Sequence, residues 1–333
     1  LAIANYGTKK LALTLGKGNG IFEKQTSANQ PSFNSYPLMM VSVDLDNDMK
    51  SEIVLLYEES DNGDIFAVDN EYFFKDPIRC SVGSSPYNVA VRDFNNDRKM
   101  DIITANYDSN DVSVLLGHGN GSFADQITYA VGLAPRVVAI GDFNNDSWLD
   151  IAVSNQDSDD VSILLGHGDG SFASQTTYPV GSLPEGIAVG DFNNDSRLDI
   201  VVANLDSANV SILLGRGDGT FENQTTYPTG SSPVSVAVGD FNNDNRLDIV
   251  VANRYTRDVS VLLGHGNGSF ANQIIFSLGS APFSIAVGDF NNDTRLDIVT
   301  ANYRSNDVSV LLGCGNGTFI NQTRYAVSSL AAT

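Results

Sequence analysis

Asp191-Phe192-Asn193-Asn194-Asp195-Ser196-Arg197-Leu198-Asp199 carries oxygen-bearing side chains at positions 1, 3, 5 and 9. Three carboxylates and an amide at odd positions of one short loop suit a hard cation, and calcium takes six to eight oxygens in loops of this kind. A backbone carbonyl at position 7, here that of Arg197, would extend the series. Calcium is favoured over magnesium because the donors are all protein oxygens on an adaptable loop. Softer metals find no ligands in it. A plain acidic turn closed by Asx hydrogen bonds accounts for one or two acids per loop. It does not account for a set that recurs.

The set recurs six times. The side-chain donors are Asp44, Asp46, Asp48 and Glu52 in the first loop, and Asp93, Asn95, Asp97 and Asp101 in the second. The third has Asp142, Asn144, Asp146 and Asp150, and the fourth Asp191, Asn193, Asp195 and Asp199. The fifth has Asp240, Asn242, Asp244 and Asp248, and the last Asp289, Asn291, Asp293 and Asp297. About six calcium ions are expected, one per loop. The first loop carries four acids and the others three each, so 19 of the 40 acids lie in these loops. Six calcium ions would take the net charge from −21 to −9.

The loops start 49 residues apart without an insertion, so the positioning element is a tandem repeat. One full unit runs from Pro233 to Gly279 and divides into four apolar segments, Val234 to Asp240, Asp248 to Asn253, Val259 to Gly264 and Ser269 to Leu278. They are rich in the β-branched and aromatic residues of strands. Asn, Asp, Gly and Pro fill the joints, and Gly266-Asn267-Gly268 reads as a hairpin that needs φ > 0. Segments such as Leu198–Asn204 are apolar almost throughout, which predicts sheets buried on both faces. Four strands per repeat of about 50 residues predict an all-β, seven-bladed β-propeller of four-stranded antiparallel blades. It is read as one domain over 1–333: a partial blade at 1–36, six full blades at 37–327, and a closing tail at 328–333. Ala4-Asn5-Tyr6 repeats as Ala301-Asn302-Tyr303, so one blade is shared by the chain ends or incomplete. The chain begins in mid-repeat without a signal segment, which predicts a processed or partial chain.

The run Asp191 to Asn204, D-F-N-N-D-S-R-L-D-I-V-V-A-N, resembles the FG-GAP and VCBS-type repeats, the family that includes the integrin α-subunit propeller. The resemblance covers essentially the whole chain. It implies seven blades, an extracellular setting, and calcium in the loop between the first and second strands. It also implies ligands at positions 1, 3, 5, 7 and 9, which adds the position-7 residues Lys50, Lys99, Trp148, Arg197, Arg246 and Arg295. The family's usual Gly at position 6 is replaced by Met49, Arg98, Ser147, Ser196, Asn245 and Thr294. V-A-N in place of G-A-P after the second strand argues for a VCBS-like branch rather than a true integrin.

A charge of −21 disfavours nucleic acid and anionic membrane as direct partners. No apolar stretch reaches 18 residues, so no membrane insertion is expected. Cys80 and Cys314 make no zinc pattern, and their places in the repeat predict that they are not bonded to each other. His118, His167 and His265 share one turn register with Lys17, Arg216 and Cys314, which marks a surface position. No Ser/His/Asp or Cys/His set stands out, and the chain reads as a non-enzyme. Glu58, Glu59, Asp61, Asp64, Asp69 and Glu71 of the divergent first full blade read as repeat decay. Of the Asn-x-Ser/Thr sequons, Asn209, Asn223 and Asn321 are the glycosylation candidates, which marks a glycoprotein. The function expected is an extracellular calcium-binding module for binding or adhesion, with an unidentified protein or glycan ligand. A structural subunit of a secreted filament, self-associating through the incomplete blade, is the alternative. A lectin or polysaccharide lyase is another.

Overall fold

The computed structural model describes residues 2–5, 10–16, 22–24, 37–45, 49, 52–57, 62–66, 78–303, 305 and 307–326. All its regular elements are strands, arranged in seven antiparallel sheets. The first sheet has three strands, Ala2–Asn5, Lys10–Gly16 and Phe22–Lys24. The other six have four each, hydrogen-bonded in chain order, and span residues 37–81, 86–130, 135–179, 184–228, 233–277 and 282–326. Among the described residues there is no helix long and apolar enough to cross a membrane.

The fifth sheet shows how sequence becomes register. Its strands are Pro184–Gly190, Asp199–Asn204, Asn209–Leu213 and Thr225–Pro228. The second strand is buried along its whole length, as the unbroken apolar run requires. The fourth is mostly exposed, which suits its Thr-Thr-Tyr-Pro sequence. In the sixth sheet the fourth strand is Ile274–Ser277, shorter than the expected Ser269 to Leu278. The reason is local: Gly264 and Phe270 form an isolated bridge, and Gln273 then turns its side chain to the Ser260 hydroxyl, 2.6 Å away.

The chain divides into two compact units. One comprises Leu1–Leu13, Gln25–Asp142 and Asp146–Thr177; the other comprises Thr14–Lys24, Phe143–Asn145 and Tyr178–Thr333. Within each, the cores lie between consecutive sheets. In the second unit Val201, Ala203, Val210 and Ile212 of the fifth sheet pack on Val236, Ile249, Val251 and Leu262 of the sixth. Each Val, Ile or Leu among them contributes about 1.5–3 kcal/mol by leaving water.

A buried polar chain runs through each of the third to seventh sheets. In the fifth, Asn204 Nδ2 donates to Asn209 and to Ser211, and the Ser211 hydroxyl donates to Gln224. Asn106 and Asn302 also receive a hydroxyl hydrogen from Thr104 and Thr300. Asn155, Asn204 and Asn253 have Val two residues earlier, and their side-chain oxygens are buried without a partner. Cys80 and Cys314 are not joined in a disulfide.

Candidate metal centre

Each nonapeptide loop joins the first and second strands of a sheet. Its conformation is fixed by its own acids. In the loop 191–199, Asp191 accepts from the backbone N–H of Asp195 at 3.0 Å and of Ser196 at 2.8 Å. Asn193 Oδ1 accepts from the same Asp195 N–H, and Asp195 accepts from the Arg197 N–H at 2.9 Å. The loops opening at Asp93, Asp240 and Asp289 repeat these bonds. At Asp142 the bonds from Asp146, Ser147 and Trp148 recur. In the first loop Met49 N–H donates to Asp44 at 2.9 Å, while Asp46, Asp48 and Lys50 lie outside the described residues.

Two loop positions need φ > 0. Position 4 is Asn wherever it is described, with φ of 57–60° at Asn96, Asn145, Asn194, Asn243 and Asn292, which Asn tolerates. Position 6, where the resemblance leads one to expect Gly, takes φ of 60–71° at Met49, Arg98, Ser147, Ser196, Asn245 and Thr294. The left-handed turn therefore survives without glycine, at a cost of about 1–2 kcal/mol per residue for an ordinary side chain.

Position 9 is a buried bracket. Asp199 is fully buried; one oxygen accepts from the Phe192 N–H at 2.8 Å and the other from the Gly215 N–H at 2.8 Å. Asp101, Asp248 and Asp297 make the same pair, and Glu52 holds the Leu45 N–H at 2.7 Å. Asp150 holds the Gly166 N–H at 2.7 Å. Gly215 must be glycine, since a Cβ there would run into the Leu198 carbonyl. Burial pushes Asp199 and Asp248 up to about 6, and the charges at positions 5 and 1 of the same loops add to the rise. Asp101 and Asp297 rise for the same reasons.

The three carboxylates of a loop thus repel one another. Positions 1, 3 and 5 are partly or fully exposed, and each bonded carboxylate oxygen keeps a second lone pair. The donor set fits a hard divalent cation by type and by its backbone-locked orientation. Among the described residues no three His, Cys, Asp or Glu side chains are gathered closely enough to hold a metal by themselves, so a cation here would also need the amide of position 3 and backbone carbonyls. Three of the position-7 side chains turn back to position 5. Lys99 pairs with Asp97 at 3.1 Å, and Arg197 and Arg246 lie 3.8 Å from Asp195 and Asp244. Trp148 is 41% exposed.

The loop also docks on the next sheet, through the residues at its positions 2 and 4. The position-2 carbonyl of Phe192 accepts from the Gly268 N–H at 2.9 Å, in the hairpin of the sixth sheet. The Phe192 and Tyr227 rings meet Phe270 edge-on at 5.6 and 5.4 Å. Phe241 accepts from Gly317 and meets Phe319 in the same way. Position-4 amides reach the same hairpins: Asn243 Nδ2 lies 3.4 Å from the Gly315 carbonyl and Asn145 Nδ2 3.3 Å from that of Gly217. The invariance of Asn at position 4 within the repeat was the available signal.

Of the sequon residues, Asn223 is exposed, Asn209 is half-buried with its oxygen bonded to Asn204, and the Asn321 side chain is outside the described residues. Glu58, Glu59, Asp61, Asp69, Glu71 and the tail 328–333 also lie outside them, as does the side chain of Asp64. The three histidines are exposed, as their turn register implied.

Repeated four-stranded sheets of this kind define a propeller-type repeat protein. The chain belongs to the FG-GAP-like repeat family, whose model matches residues 93–153, 142–202, 191–251 and 240–300. No curated protein sequence matches it. Among solved structures it is similar to a putative 6-phosphogluconolactonase from Bacteroides uniformis, at 15% identity and TM-score 0.73 over 98% of this chain and 95% of that one. The periplasmic gluconolactonase of Pseudomonas aeruginosa gives 14% identity and TM-score 0.72 over 98% and 96%. An Agrocybe aegerita lectin that recognises non-reducing terminal N-acetylglucosamine gives 17% and 0.63 over 96% and 88%. The likeness is one of fold. It corrects one expectation: two of these neighbours are named as enzymes, so the reading of the chain as a non-enzyme does not stand. Uniform repeats without a catalytic insertion do not exclude catalysis on this fold.

Proposed function

We propose that the chain is an extracellular calcium-binding β-propeller that serves as a binding or adhesion module for a protein or glycan ligand. The observation that carries the calcium reading is the loop itself: Asp191, Asn193 and Asp195 are held by backbone N–H groups within one exposed turn, next to the buried carboxylate of Asp199, and the arrangement recurs at Asp93, Asp240 and Asp289. Positions 1, 3, 5 and 9 would supply side-chain oxygens and position 7 its carbonyl. Bound calcium would supply positive charge that locks the loop against the neighbouring hairpin. About six ions are expected, and the low calcium of cytosol would not fill sites of the extracellular type, with dissociation constants of about 10⁻⁴–10⁻³ M.

Among the described residues, seven sheets, one of them three-stranded, support seven blades with one incomplete. The binding-module reading rests on where the repeats differ. The residue after the opening Pro varies as Tyr87, Arg136, Glu185, Val234 and Phe283, and the residue after the second strand as Tyr107, Gln156, Leu205, Arg254 and Tyr303. Both positions lie at the end of the sheet opposite the nonapeptide loops, and Pro86 pairs with Asn106 in the register. A carbohydrate ligand is the second reading, supported by the lectin among the structural neighbours.

The test is a thermal melt of protein dialysed against EDTA, then titrated with calcium, with bound metal counted by elemental analysis. Calcium should raise Tm by mass action and saturate near six ions per chain. An unchanged melt, or magnesium acting equally at the same concentration, would sink the calcium reading.

A further inference from the structure

The segment Asp111 to Ala124 of the third sheet is identical in sequence to Asp258 to Ala271 of the sixth. Both contain an Asn-Gly pair in the hairpin, Asn120-Gly121 and Asn267-Gly268, and the seventh sheet has Asn316-Gly317 in the same register. Asn-Gly is chemically labile. The glycine backbone nitrogen, with no side chain beside it, can attack the asparagine side-chain carbon in an intramolecular step.

Locally the three hairpins match. Each asparagine is exposed. Asn120 Oδ1 accepts from the Ser122 N–H at 3.0 Å and from its hydroxyl at 2.6 Å. Asn267 does the same with Ser269, at 3.1 and 2.6 Å, and Asn316 with Thr318, at 3.1 and 2.6 Å. The flanking glycines take φ of 73° and 79° in the third sheet and 70° and 79° in the sixth. None of these features separates one asparagine from another.

The difference lies in the nitrogen that would attack. Gly268 N–H donates to the Phe192 carbonyl at 2.9 Å, and Gly317 N–H to that of Phe241 at 2.9 Å. Such a nitrogen must give up its hydrogen bond before it can lose its proton and react. In the third sheet the counterpart of Phe192 is Leu45, in the divergent first loop. Among the described residues Gly121 N–H makes no such bond. The acid that would result is already part of the repeat. Asp169 and Asp218 occupy this register in the fourth and fifth sheets and accept from Ser171 and Thr220 in the same way. Those bonds, the hydroxyl first, hold both carboxyls below the usual range.

We propose that Asn120 is a site of spontaneous deamidation in the folded chain, that the fold accommodates its aspartate product, and that hairpin docking protects Asn267 and Asn316. The Gly121 nitrogen bonds to the Asn120 side-chain carbon, the amide C–N bond breaks, and ammonia leaves. The succinimide ring so closed is opened by water, the only co-reactant, to aspartate or isoaspartate. Nothing is oxidised or reduced. The product adds a negative charge to a chain already at −21, and the isoaspartate branch lengthens the hairpin backbone by a carbon. The inference stands on the hairpins and not on what the chain binds.

The test is peptide mapping by mass spectrometry of the full chain held in mildly alkaline buffer, following the exchange of amide for acid at each asparagine. Asn120 should convert about threefold to tenfold faster than Asn267 or Asn316, the factor that one net hydrogen bond gives. In urea the identical segments lose their different surroundings, and Asn120 and Asn267 should convert at the same rate. Asn120→Asp should keep the Tm of the unmodified chain. Equal rates in the folded chain, a faster Asn267, or a difference that persists in urea overturns the proposal. So does an Asn120 that stays intact in the folded chain while the urea sample converts, or a lowered Tm for Asn120→Asp.

Discussion

At the scale of single residues the acids of the loops do two jobs, and pH separates them. Asp199 and Asp248 have folded pKa values of about 6, against an ordinary 3.8. An acid whose pKa rises on folding favours the folded state when protonated. The folded chain therefore carries the penalty of both ionised groups above about pH 6 and is relieved of it as pH falls toward 4. A bound cation reverses the sign, because it needs the carboxylates ionised. In EDTA, Tm should rise as pH is lowered from about 7 to 5, and in saturating calcium it should fall over the same range. Identical profiles with and without calcium would count against metal in these loops. The orphaned oxygens give a second expectation. Val202 stands where Thr104 and Thr300 satisfy their asparagines, and Asn204 Oδ1 is buried without a partner. Val202→Thr should be neutral or stabilising by up to about 1 kcal/mol, since the new hydroxyl finds an acceptor. Val201→Thr, equally buried, should lose about 1–3 kcal/mol. Urea midpoints of the two variants decide the matter, and equal losses would rule out the missing bond.

At the scale of elements the nonapeptide loop is a fastener between sheets as much as an ion site. Phe192 holds the next hairpin by its carbonyl and its ring, and Asp199 ties the loop to the hairpin of its own sheet. The hairpin ring Phe270 is 7% exposed and wedged between Phe192 and Tyr227. Phe270→Ala should lose about 3–5 kcal/mol in calcium and in EDTA alike, because the loss is packing. Ser196→Gly tests the loop backbone. At φ 65° glycine removes the left-handed strain, so Tm should rise, less any entropy that glycine adds to the unfolded chain. A lower Tm would mean that the Ser196 side chain contributes something the turn geometry does not explain.

For the whole molecule, charge is the quantity to watch. A chain at −21 is held back by self-repulsion, which salt screens over about 10 Å at 0.1 M. In EDTA, raising sodium chloride from about 0.02 to 0.5 M should raise Tm, and in calcium the same change should do much less. A salt response that ignores calcium would show that the acids are solvated surface and not a buried metal shell.

The sequence by itself determined the repeat, its length and its strand content. A period of 49 residues with four apolar runs leaves few ways to bury both faces of each sheet, and the FG-GAP-like identity follows from the motif. It also marked the loop acids, because oxygen spacing is a local property. What only the tertiary structure decided concerns partners distant in the chain. That Asp199 brackets Gly215 depends on strand pairing within one sheet, and that position-4 asparagines reach the next hairpin and Arg136 lies over the Tyr87 and Tyr107 rings depends on sheets brought face to face. Local pattern fixes which face of a strand is apolar. It does not fix what a polar end meets across the gap, because that meeting is set by the register of a neighbour 49 residues away.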